Sequence, residues 1–252
     1  MYKDIYIILK NICLSNNNLN QIGGTKKKED YKPEITPEII TPNDDLRFFK
    51  NAFYRKIDDK DFYKLKATNI GKYSITFYND AKKITHQIKN ILKKIDSDIN
   101  YDDITITDAS AGIGGNTISF ARKFGKVNSV EILPIHCSII ENNVKVYKLE
   151  DKVDLHCDNY FNLDLKQDVI FFDPPWGGKD YYLKDKLMLY LDNKPLYDIV
   201  NDIKDTKLIV LKVPINFDFE TFYDNIKYKN TEQDDIKHPF KNKVSYKIIY
   251  LY

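Results

Sequence analysis

The sequence predicts an α/β protein: a doubly wound, mostly parallel sheet with helices between its strands, preceded by a small helical extension. Three observations predict it. Short β-branched runs alternate with helical segments from Ile104 to Lys212, and a glycine-rich turn, Gly112-Ile113-Gly114-Gly115, joins the first run to a helix. An apolar, β-rich segment, Val244–Tyr252, then closes the chain with no helix after it. Strands separated by helices need crossover connections and therefore lie parallel. The closing segment reads as a last strand inserted into the sheet.

Element by element, residues 1–45 are expected to form a flexible N-terminal segment and linker. Asn16, Asn17, Asn18 and Asn20, Gly23-Gly24, Lys26–Lys28, Pro33, Pro37 and Pro42 give it linker composition. The lysine triplet reads as a solvated charge run rather than a nuclear signal. Residues 46–78 are expected to be a helical extension. Its Phe48, Phe49, Phe53, Tyr54, Phe62 and Tyr63 suit short helices that pack aromatic faces onto the main domain. Residues 79–252 form that domain. Its first helix starts at Asn79, capped by Asn79 or Asp80, with Ala81, Ile84, Ile88, Ile91 or Leu92, and Ile95 at helical spacing. Then come strand Ile104–Asp108, helix Gly115–Phe124, strand Val127–Glu131 and a helix from Pro134 to about Tyr147. Strands Val153–Cys157 and Val169–Asp173, a helix near Leu196–Ile203 and strand Lys207–Lys212 complete the alternation.

Composition bounds the function classes. The 39 basic and 37 acidic residues leave a formal charge of +2, so any nucleic-acid contact is local rather than a coat of positive charge. No apolar run approaches the roughly 20 residues of a membrane span, and Ile5–Leu9 is too short for a signal segment, so no membrane partner is expected. The three cysteines, Cys13, Cys137 and Cys157, are far apart with no CxxC pair. That spacing argues against a disulfide framework or zinc site and suits a reducing, intracellular location, nuclear or cytoplasmic. His86, His136, His156 and His238 share no metal-ligand spacing; each is expected to be structural or exposed, and no metal is expected.

Two constellations carry chemistry. The first is Asp108-Ala109-Ser110-Ala111-Gly112-Ile113-Gly114-Gly115-Asn116-Thr117, which leaves a strand and enters a helix. The glycines let the backbone turn sharply and approach a ligand, and the helix start offers free N–H groups. Glu131, 23 residues after Asp108 at the end of the next strand, suits both hydroxyls of a ribose. The pattern lacks GxGxxG and GxxxxGK[ST], so neither a dinucleotide fingerprint nor a P-loop is present. An acid opposite the glycine turn suits the cationic amino group of S-adenosylmethionine. The third strand ends in Asp158-Asn159, where either side chain could accept from an adenine amine or merely shape a loop.

The second is Asp173-Pro174-Pro175-Trp176-Gly177-Gly178, directly after the buried run Val169–Phe172. An exocyclic amine is a poor nucleophile because its lone pair is delocalised into the ring. The Asp173 carboxylate and the Pro174 carbonyl could hold its two hydrogens and turn the lone pair toward an electrophilic methyl. The prolines keep those acceptors preorganised, and Trp176 offers a stacking plane worth about 1–3 kcal/mol per base. Asp173, Pro174 and Trp176 are therefore the candidate catalytic residues. Methyl transfer to the amine of a nucleic-acid base is the predicted reaction.

Asp108–Thr117, Asp173–Gly178 with Asp180-Tyr181, and Asn242-Lys243 leading into the last strand resemble the trimethylguanosine synthases, the RNA cap guanine-N2 methyltransferases. The resemblance runs from about Tyr73 to Tyr252, with a fainter echo from Phe48 through Tyr78. It implies a Rossmann-like class I methyltransferase sheet with an antiparallel C-terminal strand. S-adenosylmethionine would be held by Asp108, Ala109, Gly112, Gly114, Asn116, Thr117, Glu131, Asp158, Asn159 and Asp173. It also implies an N7-methylguanosine-capped RNA whose base stacks on Trp176, for di- or trimethylguanosine cap synthesis. Lys179 and Tyr181 would lie near the cap phosphates, and Ser74 and Thr76 of the extension would help close the base pocket. Three positions depart from the family: Asp173 stands where familiar eukaryotic members often carry Ser, and Asn159 where the family usually has Asp. Ile215-Asn216 replaces an arginine expected soon after the strand ending at Pro214.

Two other functions fit the same residues. One is an N-methyltransferase acting on internal guanine or adenine of RNA or DNA, which Asp173 favours. The other is a non-catalytic, methyltransferase-like RNA-binding subunit, against which the complete set Asp108, Gly112, Glu131 and Asp173 speaks. A monomer is expected, and the short extension leaves room for a protein partner in RNA recruitment.

Overall fold

The computed structural model describes residues 36–177, 179–237 and 243–252. Within them the chain order is β1 (Ile39–Ile40), α1 (Leu46–Ala52), α2 (Asp59–Phe62), β2 (Ala67–Thr68), α3 (Tyr78–Ile95), β3 (Thr105–Asp108), α4 (Gly115–Ala121), β4 (Lys126–Val130), α5 (Pro134–Val146), β5 (Val153–His156), β6 (Val169–Phe172), β7 (Tyr190–Leu191), β8 (Lys194–Pro195), α6 (Leu196–Asp202), β9 (Leu208–Pro214), α7 (Phe219–Asn225), β10 (Thr231–Lys237) and β11 (Val244–Leu251).

The main sheet has seven strands in the order β10-β11-β9-β6-β3-β4-β5. β9, β6, β3, β4 and β5 are parallel, whereas β11 runs antiparallel to both β9 and β10. β3 is the middle one of the five parallel strands: the chain winds outward from it to β4 and β5, then returns to β6 on its other side. The direction of winding reverses between β3 and β6, and crevices for ligands open beyond the carboxyl ends of strands at such a point. The loops that leave these two strands are the two constellations read from the sequence.

Alternate side chains of the strands feed separate cores. Ile106, Val169, Phe171, Leu208, Val210 and Ile248 pack beneath α3, α4 and α5. Ile170, Phe172, Ile209, Leu211 and Val213 pack beneath α6 and α7. Both faces of these strands are buried, which explains their continuous apolar runs.

The extension rests on the outer side of α4 and α5. Phe49, Phe53, Phe62 and Leu65 are buried against Ile113, Ile118, Ile139 and Tyr147. Each fully buried side chain of this size contributes about 1.5–3 kcal/mol relative to exposure, so several together hold the extension firmly. Its polar seam is also satisfied: Asn143 accepts from the Lys66 N–H and donates to the Lys66 carbonyl, and Thr68 Oγ1 lies 3.0 Å from His136 Nε2. Inside the expected linker, Ile39-Ile40 pairs antiparallel with Ala67-Thr68, so order begins before Leu46.

Several sequence expectations are corrected. α3 begins at Tyr78 with Phe77 at its N-cap and no capping side chain, so Asn79 and Asp80 belong to its first turn; Ile95 is 40% exposed. α7 and β10 were not anticipated. α7 is short and capped by Asp218, whose side chain accepts from the Thr221 N–H. β10 is a polar edge strand whose register is set by β11. Cys137, in the first turn of α5, is joined to Cys157 just after β5 in a disulfide, with a Cα–Cα distance of 6.0 Å. The spacing argument fails because the β4–α5–β5 crossover brings together residues 20 positions apart. Among the described residues no His, Cys, Asp and Glu group could hold a metal, and no helix is long and apolar enough to cross a membrane.

Candidate active site

The two loops meet directly. After β3, the Ala109 N–H donates to Phe171 O at 2.9 Å, continuing the β3–β6 ladder by one residue. From the other side, the Asp173 N–H donates to Ser110 Oγ at 2.8 Å. Gly112 and Gly114 take φ of 58° and 86°, conformations that other residues adopt only with strain. A side chain added at Gly112 would meet no protein atom within 4 Å, so that turn faces open space. Gly115 is glycine for a different reason: a Cβ there would lie 2.7 Å from the Thr76 carbonyl oxygen, because the extension passes over the start of α4.

Asp108 is fully buried. Its Oδ2 accepts from Thr117 Oγ1 at 2.7 Å, and Thr117 Oγ1 lies 2.9 Å from Ser129 Oγ. Its Oδ1 is buried without a hydrogen-bond partner. Burial pushes the carboxyl up to about 7, the Thr117 hydrogen bond works against that rise, and the nearby Asp173 charge adds to it. A dry carboxylate oxygen with no partner is costly unless a ligand supplies a donor. Glu131 is also buried; its Oε2 accepts from the Gly112 N–H at 2.7 Å and its Oε1 from the Leu133 N–H at 2.9 Å. Burial pushes it up to about 7 against these two hydrogen bonds. Behind it stands the buried His136, Nδ1 3.8 Å from Glu131 Oε1, held below its ordinary value at about 4 by burial. Asn116, in the first turn of α4, donates to Thr76 Oγ1 at 3.0 Å, and its own Oδ1 is a second buried oxygen without a partner.

These features fit S-adenosylmethionine. The unpaired Asp108 oxygen suits an ammonium, Glu131 keeps acceptor capacity for hydroxyls, and the open side of Gly112 leaves room for a ligand. After β5, Asp158 and Asn159 are turned into their own loop: Asp158 Oδ1 accepts from the Asn159 N–H and from Asn162 Nδ2, and Asn159 Oδ1 accepts from the Phe161 N–H.

Asp173 is anchored by a residue that sequence reading missed. Lys212 of β9, 5% exposed, donates from Nζ to Asp173 Oδ2 at 2.6 Å and to Thr76 Oγ1 at 3.0 Å. It also lies 5.6 Å from the Trp176 ring centroid and 4.8 Å from that of Tyr246. Burial raises the Asp173 carboxyl, and the Lys212 ammonium opposes that rise. The signal in the sequence was a lysine inside the run Leu208–Pro214, every residue of which is buried. Buried lysines are almost always paired.

Trp176 is half-buried, with Tyr181 edge-on at 5.3 Å and Tyr246 tilted at 6.2 Å. Asn216, where an arginine was expected, clips the Tyr181 loop: its Nδ2 donates at 2.7 Å to the carbonyls of both Tyr181 and Lys184. Ser74 is exposed and donates to Gly71 O, whereas Thr76 is 3% exposed and its hydroxyl already serves Lys212 and Asn116. The Lys179 side chain, Gly178 and Asn242 lie outside the described residues.

Comparison with known proteins agrees with this geometry. Residues 104–252 match the family profile described as RNA cap guanine-N2 methyltransferase. An uncharacterized protein of Acanthamoeba polyphaga mimivirus is 32% identical over 231 residues, covering 83% of this chain and 90% of its own. The trimethylguanosine synthase of Schizosaccharomyces pombe is 34% identical over 104 residues, covering 38% of this chain and 43% of that protein. The Saccharomyces cerevisiae synthase is 34% identical over 98 residues, 36% of this chain and 31% of its own length. The match thus spans less than half of either synthase. With a matched segment that takes in the whole sheet and both loops, this chain is an S-adenosylmethionine-dependent methyltransferase and belongs to the RNA cap guanine-N2 methyltransferase family.

Proposed function

We propose that the chain methylates the exocyclic N2 amine of an N7-methylguanosine RNA cap. The observation that carries this reading is the Asp173–Trp176 loop hydrogen-bonded to the Asp108 turn, in a chain of this family. Asp108 binds the ammonium of the methyl donor and Glu131 its ribose hydroxyls. Ala109, Gly112, Gly114, Asn116 and Thr117 shape the walls, and Asp158 and Asn159 lie toward the adenine. When bound, S-adenosylmethionine supplies a methyl group made electrophilic by its sulfonium.

The protein's own part is positioning. Asp173 and the Pro174 carbonyl accept the two amine hydrogens, and the lone pair is thereby turned toward the donor. Trp176 stacks on the base, and an indole face favours a cationic ring such as N7-methylguanine by about 0.5–2 kcal/mol. Tyr181 and Lys179 are assigned to the cap phosphates. Residues 46–78 close the pocket, with Thr76 acting through the groups it holds rather than through the base.

The test is methyl transfer from labelled S-adenosylmethionine to capped, uncapped and N7-unmethylated RNAs, with nucleoside mass spectrometry of the product. N2-methylated N7-methylguanosine is expected, together with inhibition by free N7-methyl-GTP. Asp173 supports a second reading, transfer to internal guanine or adenine. Label in uncapped RNA that free N7-methyl-GTP leaves untouched would establish that reading and end the first.

A further inference from the structure

We propose that Lys212 is a positioning residue that keeps Asp173 ionised and turned, so that one carboxylate oxygen remains for the acceptor amine. The proposal rests on the reading of Asp173 as the amine-holding acid. Asp173 Oδ2 is taken by Lys212 Nζ at 2.6 Å, and among the described residues no hydrogen bond is made to Oδ1. The ammonium is itself oriented. Its second hydrogen bond goes to Thr76 of the extension, whose hydroxyl is fixed by Asn116 at the start of α4. A chain of contacts therefore runs from the donor turn through the extension to the acceptor loop, with its one cation buried in a strand.

The charge is needed because of what surrounds Asp173. Burial itself disfavours an ionised Asp173, and the nearest acid, Asp108 on β3, is raised in turn by the Asp173 charge. Tyr246 on β11 and, beyond it, Asp80 on α3 add no positive charge. Lys212 is the cation that faces Asp173 from the neighbouring strands. A protonated Asp173 would offer one acceptor fewer and point a donor at the amine, the wrong polarity for holding two N–H groups.

Trp176 is the chain's single tryptophan and lies beside this pair, so its emission reports the pair without substrate or cofactor. The experiment is a pH titration of intrinsic fluorescence for the unaltered protein and for Lys212→Met, Lys212→Arg and Asp173→Asn. The acid transition is expected to move to higher pH by about 1–3 pH units in Lys212→Met. It should stay near its original position in Lys212→Arg and be absent in Asp173→Asn. The acid limb of the methyl-transfer rate should move with it. Should Lys212→Met fail to fold, Lys212→Gln, which keeps a donor but no charge, repeats the test. A transition unmoved by loss of the charge, or moved equally by arginine, overturns the proposal. Because the titration uses no RNA, a failed cap assay does not affect its outcome.

Discussion

Asp108 and Asp173 leave neighbouring strands of one sheet, yet the protein serves them in opposite ways. Asp108 is packed dry, with one oxygen held by Thr117 and the other left without a partner. Asp173 has a lysine of its own at 2.6 Å. The difference separates two kinds of site. On the roles proposed above, the acid that waits for a cationic ligand is left uncompensated in the free protein, whereas the acid that must stay ionised before any ligand arrives carries its counter-charge with it. The first stores binding energy at the expense of stability. The second is preorganised.

The strongest way to break this comparison is Asp108→Asn. On its proposed role as partner of the donor's ammonium, loss of the Asp108 charge is expected to weaken S-adenosylmethionine binding by about 2–5 kcal/mol, roughly 30-fold to several thousand-fold, measured by calorimetry. The variant should melt no lower than the original, since a dry carboxylate has been removed. Affinity within twofold of the original would show that Asp108 is not the ammonium's partner. Trp176→Ala should act on the other half of the site. Acceptor affinity is expected to fall by about 1–3 kcal/mol while donor affinity is unchanged; equal losses of both would mean that the indole only supports the fold.

Next comes pH. Asp108 and Glu131 are both pushed up to about 7 by burial, so the folded protein holds protons that the unfolded chain has already released. Their contribution to stability is full below the ordinary carboxylate range and is lost as pH rises toward about 7. Donor binding should run the opposite way, strengthening by about tenfold per pH unit for the proton lost at Asp108 and levelling off above about 7. Calorimetry across that range checks both the slope and its disappearance in Asp108→Asn. The smallest effect is expected for Ser110→Ala, which removes the hydrogen bond between the two loops. A loss of about 0.5–1.5 kcal/mol corresponds to a melting temperature lower by about 1–6 °C in a scanning measurement.

How much of this was legible in the sequence depended on whether the signal was local. Val169–Phe172 and the run after Leu208 announce buried strands because both faces are apolar. The Asp108 turn is legible because its glycines are forced by backbone angles. Thr231–Lys237 carries no such mark: it is polar except for the buried Ile236 and becomes a strand because β11 offers an edge. Lys212 and the Cys137–Cys157 pair were hidden for a related reason. Each depends on a partner brought close by the crossovers, Asp173 and Thr76 for the lysine and the end of β5 for the cysteine. Thr76, expected to help close the base pocket, accepts from Lys212 and Asn116, a role that only the folded neighbours disclose.

The contact between Thr68 and His136 ties the extension to the Glu131 end of the site. The Gly71 N–H donates to Thr68 Oγ1 at 2.8 Å, and the same hydroxyl lies 3.0 Å from His136 Nε2. Burial keeps this imidazole neutral, and its Nδ1 faces Glu131 Oε1 at 3.8 Å. Through one hydroxyl and one imidazole the extension thus reaches the back of the same carboxylate that accepts from the Gly112 N–H.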